Sequence, residues 1–259
     1  MMKPDPANLI HPFPEKEAEG DQTEAGQIRI SEIYESRQGE GLLTGTTSVF
    51  IRTSGCNLRC WFCDTRFASW EPEGEYRTID SIVQECQRWA AKHIVLTGGE
   101  PLIFSKVAEL TQRLHALGYH ITIETAGTIH LDVACDLISL SPKLSGSNPS
   151  DASPAWQLAH EKRRERLDVV GRFICDHDYQ LKFVVDHPGE AEELVNYIQR
   201  LEDHLGSRLD RSRLLVMPQG VEQGHLEQQA EWLLPWCEQH HLQFCPRAHI
   251  QWFGNTRGT

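Results

Sequence analysis

Three cysteines, Cys56, Cys60 and Cys63, fall within eight residues at the spacing C-x3-C-x2-C. Cysteines this close in one loop wrap a single centre, so they read as metal ligands rather than disulfide partners. Thiolates hold iron–sulfur clusters, and a cubane of four irons ordinarily takes four of them. Three local thiolates leave one iron without a protein ligand, and an open position separates a catalytic metal site from a closed structural one. The competing reading is a zinc knuckle, which needs a fourth Cys or His nearby. Between Met1 and Cys86 the only other such residue is His11, and that favours the open cluster.

A frame must present these ligands. From Gln27 the chain alternates strands and helices. Ile28, Ile30 and Ile33 mark a short strand leading to the turn Gln38–Gly41, and Ser48–Thr53 is a β-branched strand ending at the cysteine loop. Further strands are expected at His93–Thr97, His120–Thr125, Leu137–Leu140, Tyr179–Val185, Leu214–Met217 and Leu242–Cys245. Helices are expected from Thr78 to about Ala91, then over Lys106–Leu117, Glu190–Leu205 and Leu226–His240. A polar stretch at about 144–172 reads as an insertion. Repeated βα units imply a parallel sheet with right-handed crossovers, and about six such strands are too few for a closed eight-stranded barrel. Ligands of parallel α/β sheets sit at the carboxyl ends of the strands. Cys56–Thr65, Gly98–Pro101, Thr125–Gly127, Ser141–Lys143 and Gln219 all fall just after an expected strand, on one rim.

Composition narrows the class. The 259 residues are 39% hydrophobic and carry a formal charge of −12, which supports one buried core and disfavours direct binding to nucleic acid. The one dense basic run, Lys162-Arg163-Arg164 with Arg166, reads as a solvated helix face. Cys86, Cys135, Cys175, Cys237 and Cys245 lack metal-type spacing and read as small hydrophobes in a reducing, cytoplasmic protein. Residues 1–26, with Pro4, Pro6, Pro12 and Pro14, read as a disordered or loosely attached extension without the apolar core of a secretory signal. No apolar run approaches the roughly 18 residues that span a membrane. A single domain is expected over 27–259.

Cys56-x3-Cys60-x2-Cys63 resembles the signature of radical S-adenosylmethionine enzymes. Ser36-Arg37-Gln38-Gly39-Glu40-Gly41, Phe50-Ile51-Arg52, Gly55–Cys60 and Cys63-Asp64-Thr65 are similar to the 7-carboxy-7-deazaguanine synthase family, a likeness running from about Gln27 to Thr259. The resemblance implies an α/β fold, a partial (open) parallel β/α barrel of the radical S-adenosylmethionine type. It implies a lyase that contracts the ring of 6-carboxy-5,6,7,8-tetrahydropterin to 7-carboxy-7-deazaguanine with loss of ammonia, in queuosine biosynthesis. A 4Fe–4S cluster on Cys56, Cys60 and Cys63, S-adenosylmethionine and Mg²⁺ are the implied cofactors. A flavodoxin or ferredoxin would serve as electron donor, and a homodimer is the implied assembly. A glycyl-radical-enzyme activase or other radical enzyme remains the alternative, as does a non-catalytic iron–sulfur or zinc module.

The resemblance also assigns residues. Phe62, Cys63, Asp64, Gly98, Gly99 and Glu100 would contact S-adenosylmethionine, with Thr125, Ser141, Pro142 and Lys143 towards its adenosine end. On chemistry alone, Gly98-Gly99 lets a backbone approach a ligand closely, and the later turns read as ordinary. Arg37, Gln38, Gly39, Glu40 and Thr97 would meet the pterin. Arg52 would grip its carboxylate with a bidentate fork; the plain reading of Arg52 is a salt bridge at a strand end. Thr65 would bind Mg²⁺, and otherwise reads as a cap or turn residue. Trp252 and Phe253 read as anchors and Gly254 and Gly258 as turns, so that the chain end folds back. The resemblance then brings His249 and the Thr259 carboxylate to the substrate.

Overall fold

The computed structural model describes residues 26–259, so the expected loose extension lies outside the described residues except for Gly26. Nine strands form one open sheet: β1 (Gln27–Arg37), β2 (Thr47–Thr53), β3 (Glu75–Thr78), β4 (His93–Gly98), β5 (His120–Thr125), β6 (Leu137–Leu140), β7 (Tyr179–Val185), β8 (Leu214–Pro218) and β9 (Gln243–Phe244). Their spatial order is β3-β1-β2-β4-β5-β6-β7-β8-β9. From β2 to β9 every neighbour is parallel, while β1 runs antiparallel to both β2 and β3.

The parallel strands lie where β-branched apolar runs place them, and the sheet stays open as expected. Two features differ from the sequence reading. β1 is eleven residues long rather than short, because its antiparallel ladder with β2 continues to Arg37↔Thr47. β3 was not foreseen: Glu75-Tyr76-Arg77-Thr78 is an edge strand whose polar, mostly exposed side chains carry no period-two apolar signal.

The helices are α1 (Arg66–Ser69), α2 (Ile79–Cys86), α3 (Val107–Ala116), α4 (Pro154–Arg164), α5 (Leu167–Asp176), α6 (Pro188–Leu205), α7 (Gln223–Gln239) and α8 (Ala248–Phe253), of which α2, α3, α5, α6 and α7 supply residues to the main core. α2 starts where the Thr78 hydroxyl accepts the Ser81 amide, as a Thr cap should, but it ends at Cys86, short of Ala91. α6 stops at Gly206, in the left-handed conformation at φ 67°. The stretch 144–172 carries α4 and the first half of α5, whose Val169, Val170 and Phe173 are buried.

Strand alternation sets the two faces of the sheet. Val49, Ile51, Ile94, Leu96, Ile121, Ile123, Ile138, Leu140, Leu181 and Phe183 pack in the main core with helix residues such as Leu110, Leu114, Leu194 and Leu201. Residues one position out of phase face inward: Arg52, Thr97, Glu124, Ser139 and Lys182 line a cavity. Period two thus separates an apolar support from a polar interior.

Candidate active site

The cavity has a volume of about 520 Å³, and its wall includes all three cysteines of the loop after β2. The end of β4 holds the root of that loop. Gly98 has φ 141°, and a Cβ there would strike the Thr53 backbone; one at Gly99 would strike the carbonyls of Gly55 and Ala68. The amides of Gly99, Glu100 and Gly55 donate to Thr53 O at 3.2 Å, Gly55 O at 2.8 Å and Ala68 O at 2.8 Å. The glycine pair lines the cavity as expected, yet the close approach it permits is to the protein's own backbone.

Glu100 and Pro142 are the two expected cofactor contacts that stand outside the wall. The fully buried Glu100 carboxylate accepts from the Thr125 hydroxyl at 2.8 Å and from the amides of Ala126 at 2.9 Å and Leu102 at 3.1 Å. Glu100 therefore ties the turn after β5 to the end of β4. Ser141 and Lys143 both face the cavity, with Lys143 Nζ donating to Ser141 Oγ at 2.7 Å.

Burial pushes the Cys56 thiol far up and the Cys60 thiol up to about 12, so binding a metal as thiolates would release their protons. The Leu58 amide points at Cys56 Sγ at 3.4 Å, and Ser69 Oγ lies 3.1 Å from Cys63 Sγ. Among the described residues no three His, Cys, Asp or Glu side chains are grouped to hold a single ion. The three thiols line one cavity, and as thiolates they suit a 4Fe–4S centre that leaves one iron open.

The inner face bears a network of paired charges. Arg52 spends Nε on Glu32 at 2.7 Å and Nη2 on the Tyr34 hydroxyl at 2.8 Å. Its strand-end salt bridge and its place on the cavity wall coexist. Lys182, on β7, pairs with Glu40 and stands 3.5 Å from Glu124, whose other oxygen accepts from Thr97 at 2.8 Å. Arg247 binds Asp64, Glu40 at 3.2 Å and Gly220 O at 2.5 Å. Burial would raise the Glu40 carboxyl, but Lys182 and then Arg247 hold it well below its ordinary range; Arg247 does the same for Asp64.

The turn after β1 and the chain end complete the mouth. Gln38 donates to Ser48 Oγ at 2.9 Å, and a Cβ on Gly39 would collide with His249. The Ala248 amide donates to Gly39 O at 2.9 Å, and His249 Nδ1 lies 3.7 Å from Glu40. Arg37 stacks on Trp252 at 4.4 Å. Arg257 reaches Glu32 and Glu73, each at 2.9 Å, and lies over Phe67. Arg37, Phe62, Thr65, His249 and Thr259 all line the cavity. Thr65 occupies the N-cap of α1 without a side-chain cap bond, which leaves its hydroxyl uncommitted to the helix.

Glu32, Glu124, Lys182 and Arg247 escaped the sequence reading. For Glu124 and Lys182 the signal was present: a charge at an alternate position of an otherwise apolar parallel strand.

The Radical SAM superfamily model matches residues 50–145. A 7-carboxy-7-deazaguanine synthase of Rhodopirellula baltica is 47% identical over 235 residues, covering 90% of this chain and 89% of that one. The enzyme of the same name from Halobacterium salinarum is 41% identical over 229 residues, covering 86% and 89%. The crystal structure of QueE from Escherichia coli shares the fold, with a TM-score of 0.59 at 21% identity over 86% of this chain and 95% of that one. These matches support the synthase reading and not the activase alternative. The chain belongs to the 7-carboxy-7-deazaguanine synthase family.

Proposed function

We propose that this chain converts 6-carboxy-5,6,7,8-tetrahydropterin to 7-carboxy-7-deazaguanine with release of ammonia. The observation that carries the reading is the meeting, in one cavity, of three cysteine thiols with the charged inner face of the sheet. A 4Fe–4S cluster with S-adenosylmethionine supplies, when bound, a 5′-deoxyadenosyl radical able to take hydrogen from carbon. Cys56, Cys60 and Cys63 would hold the cluster. Gly98, Gly99, Thr125, Ser141 and Lys143, with Phe62 and Asp64, would hold the methionine and adenosine parts.

The chain's own groups orient the substrate. Arg52 lies on the wall with its guanidinium fixed by Glu32 and Tyr34, and presents positive charge to the substrate carboxylate. Gln38, Gly39, Glu40 and Thr97, with Arg37, His249 and the Thr259 end, surround the pterin. Lys182 joins this group, its position fixed between Glu40 and Glu124. Mg²⁺ would sit at Thr65, whose hydroxyl no helix cap consumes, and would complete its shell with water and substrate oxygens. The tail held by Arg257 would exclude water.

The wider reading is a homodimer in the cytoplasm, reduced by a flavodoxin or ferredoxin. Eight free cysteines support a reducing compartment, and no described helix is long and apolar enough to cross a membrane. Residues 27–259 act as one domain in this reading.

The test is anaerobic incubation with the carboxypterin, S-adenosylmethionine, dithionite and Mg²⁺. The expected products are the deazapurine and ammonia. Cleavage of S-adenosylmethionine without deazapurine would keep the radical chemistry and remove the substrate assignment.

A further inference from the structure

The stretch that departs from a plain βα repeat, the turn at Ser145–Ser147 followed by α4, lies against the cysteine loop. Its contacts fall on the residues between the three cysteines. The Trp61 amide donates to Ser147 O at 3.3 Å, and the Trp61 indole N–H donates to Gly146 O at 2.8 Å. Arg163 Nη1 donates to Asn57 O at 3.1 Å. The Arg59 guanidinium stacks 3.8 Å above Trp156 and donates to the carbonyls of Cys56 at 2.8 Å and Leu58 at 2.7 Å. At the centre is His160, fully buried, whose Nδ1 accepts the Arg59 amide at 3.1 Å.

The His160 tautomer follows from its partners. Ser147 Oγ donates to Leu144 O at 2.6 Å, so it accepts from His160 Nε2–H at 2.9 Å. That leaves Nδ1 as the acceptor that Arg59 needs. One neutral imidazole satisfies the whole chain of bonds from Leu144 to the middle of the cysteine loop.

A loop that wraps a cluster forms no regular ladder, and its backbone groups must find partners elsewhere. We infer that the turn and α4 are a buttress that fixes the loop's backbone around the cluster, with His160 as its positioning residue. A thiolate leaves iron only if its segment of loop swings outward, and the buttress opposes that swing. Outer partners of metal ligands characteristically shift metal retention by about 10- to 100-fold when removed. The inference rests on reading Cys56, Cys60 and Cys63 as cluster ligands.

The test compares the parent with His160→Leu, His160→Asn and Arg163→Met after anaerobic reconstitution. Iron and sulfide content are measured first, followed by the rate of iron transfer to a ferrous chelator and the thermal unfolding of each apo-protein. His160→Leu should release iron about tenfold faster or more, and Arg163→Met should move the same way with unchanged apo stability. His160→Asn should return towards the parent rate, since its amide oxygen can occupy the Nδ1 position. Parent-like release from both His160→Leu and Arg163→Met would overturn the inference, as would His160→Asn as leaky as His160→Leu. If His160→Leu fails to fold, the partly exposed Arg163→Met decides by the same criterion. A parent that takes up no iron would instead remove the cluster reading beneath it.

Discussion

Lys182→Met tests whether the charges on the inner face are a fixed network. The substitution keeps an unbranched chain of similar length and deletes the cation that joins Glu40 to Glu124. At an effective dielectric constant near 20, a unit pair at the 3.5 Å of Lys182–Glu124 attracts by about 5 kcal/mol. Removing the lysine also removes its own desolvation cost, which is several kcal/mol. Glu40 retains Arg247 at 3.2 Å, and Glu124 retains the Thr97 hydroxyl at 2.8 Å. The net loss should therefore fall at the low end of the range for breaking a buried pair, about 3 kcal/mol at pH 7.

Its pH dependence carries a sign that packing loss lacks. Glu40 is depressed below its ordinary 4.5: burial opposes this, and Lys182 followed by Arg247 overcomes it. Its contribution is present above 4.5 and lost as pH falls through the folded value. Lys182 is raised above its ordinary 10.5, again against burial, by Glu40 and then Glu124. Its contribution is present below 10.5 and lost as pH rises through the folded value. The parent-minus-variant stability should thus form a plateau between about pH 5 and pH 10 and shrink on both sides. Urea unfolding of the reduced apo-proteins, followed by tryptophan fluorescence, measures it. A difference below about 1 kcal/mol at pH 7, or one unchanged through acid, would refute the reasoning.

Alanine at Cys56, Cys60 or Cys63 should abolish cluster assembly, while alanine at Cys86, Cys135, Cys175, Cys237 or Cys245 should leave iron content intact; iron and sulfide assays decide. Thr65→Val should blunt activation by Mg²⁺ at nearly constant side-chain volume, seen as a flattened Mg²⁺ titration of turnover. Arg52→Lys cannot reach Glu32 and the Tyr34 hydroxyl together, so kcat/KM should fall by the equivalent of about 2 kcal/mol or more with iron content unchanged. Arg257→Ala should raise KM for the carboxypterin and leave both iron content and S-adenosylmethionine binding alone, because it frees the tail and returns Glu32 to Arg52 without touching the cysteines or the end of β4.

The parts legible in the sequence were those whose signal is local. The triplet Cys56–Cys63 speaks for itself, and most of the parallel strands announce themselves by an apolar run bounded by turn residues. The antiparallel edge was less visible, since Glu75–Thr78 earns its place through backbone pairing with β1 and not through apolar side chains. Glu100 illustrates a harder case. The resemblance assigns it to the cofactor, and its carboxylate accepts from Thr125 and Ala126, 25 and 26 residues away, which no local pattern announces. Arg247 unites Asp64, Glu40 and Gly220, three segments far apart in sequence. Nothing in the sequence Pro246-Arg247-Ala248 marks this buried arginine apart from a surface one.

The pairing of Arg52 also bears on how an anionic substrate enters. A carboxylate arriving at Arg52 meets a guanidinium already neutralised by Glu32. Glu32 is in turn shared: its second oxygen accepts from Arg257 of the tail at 2.9 Å. With the tail closed, Arg257 draws on Glu32 as well as on Glu73, so Glu32 is divided between two guanidiniums and holds Arg52 less tightly. With the tail lifted, Glu32 and Arg52 cancel one another. In the proposed reading, closure of the tail and carboxylate binding at Arg52 would be linked through this one shared acid. Linkage is reciprocal, so in that reading a substrate carboxylate would hold the tail down as firmly as the tail strengthens its grip on the substrate.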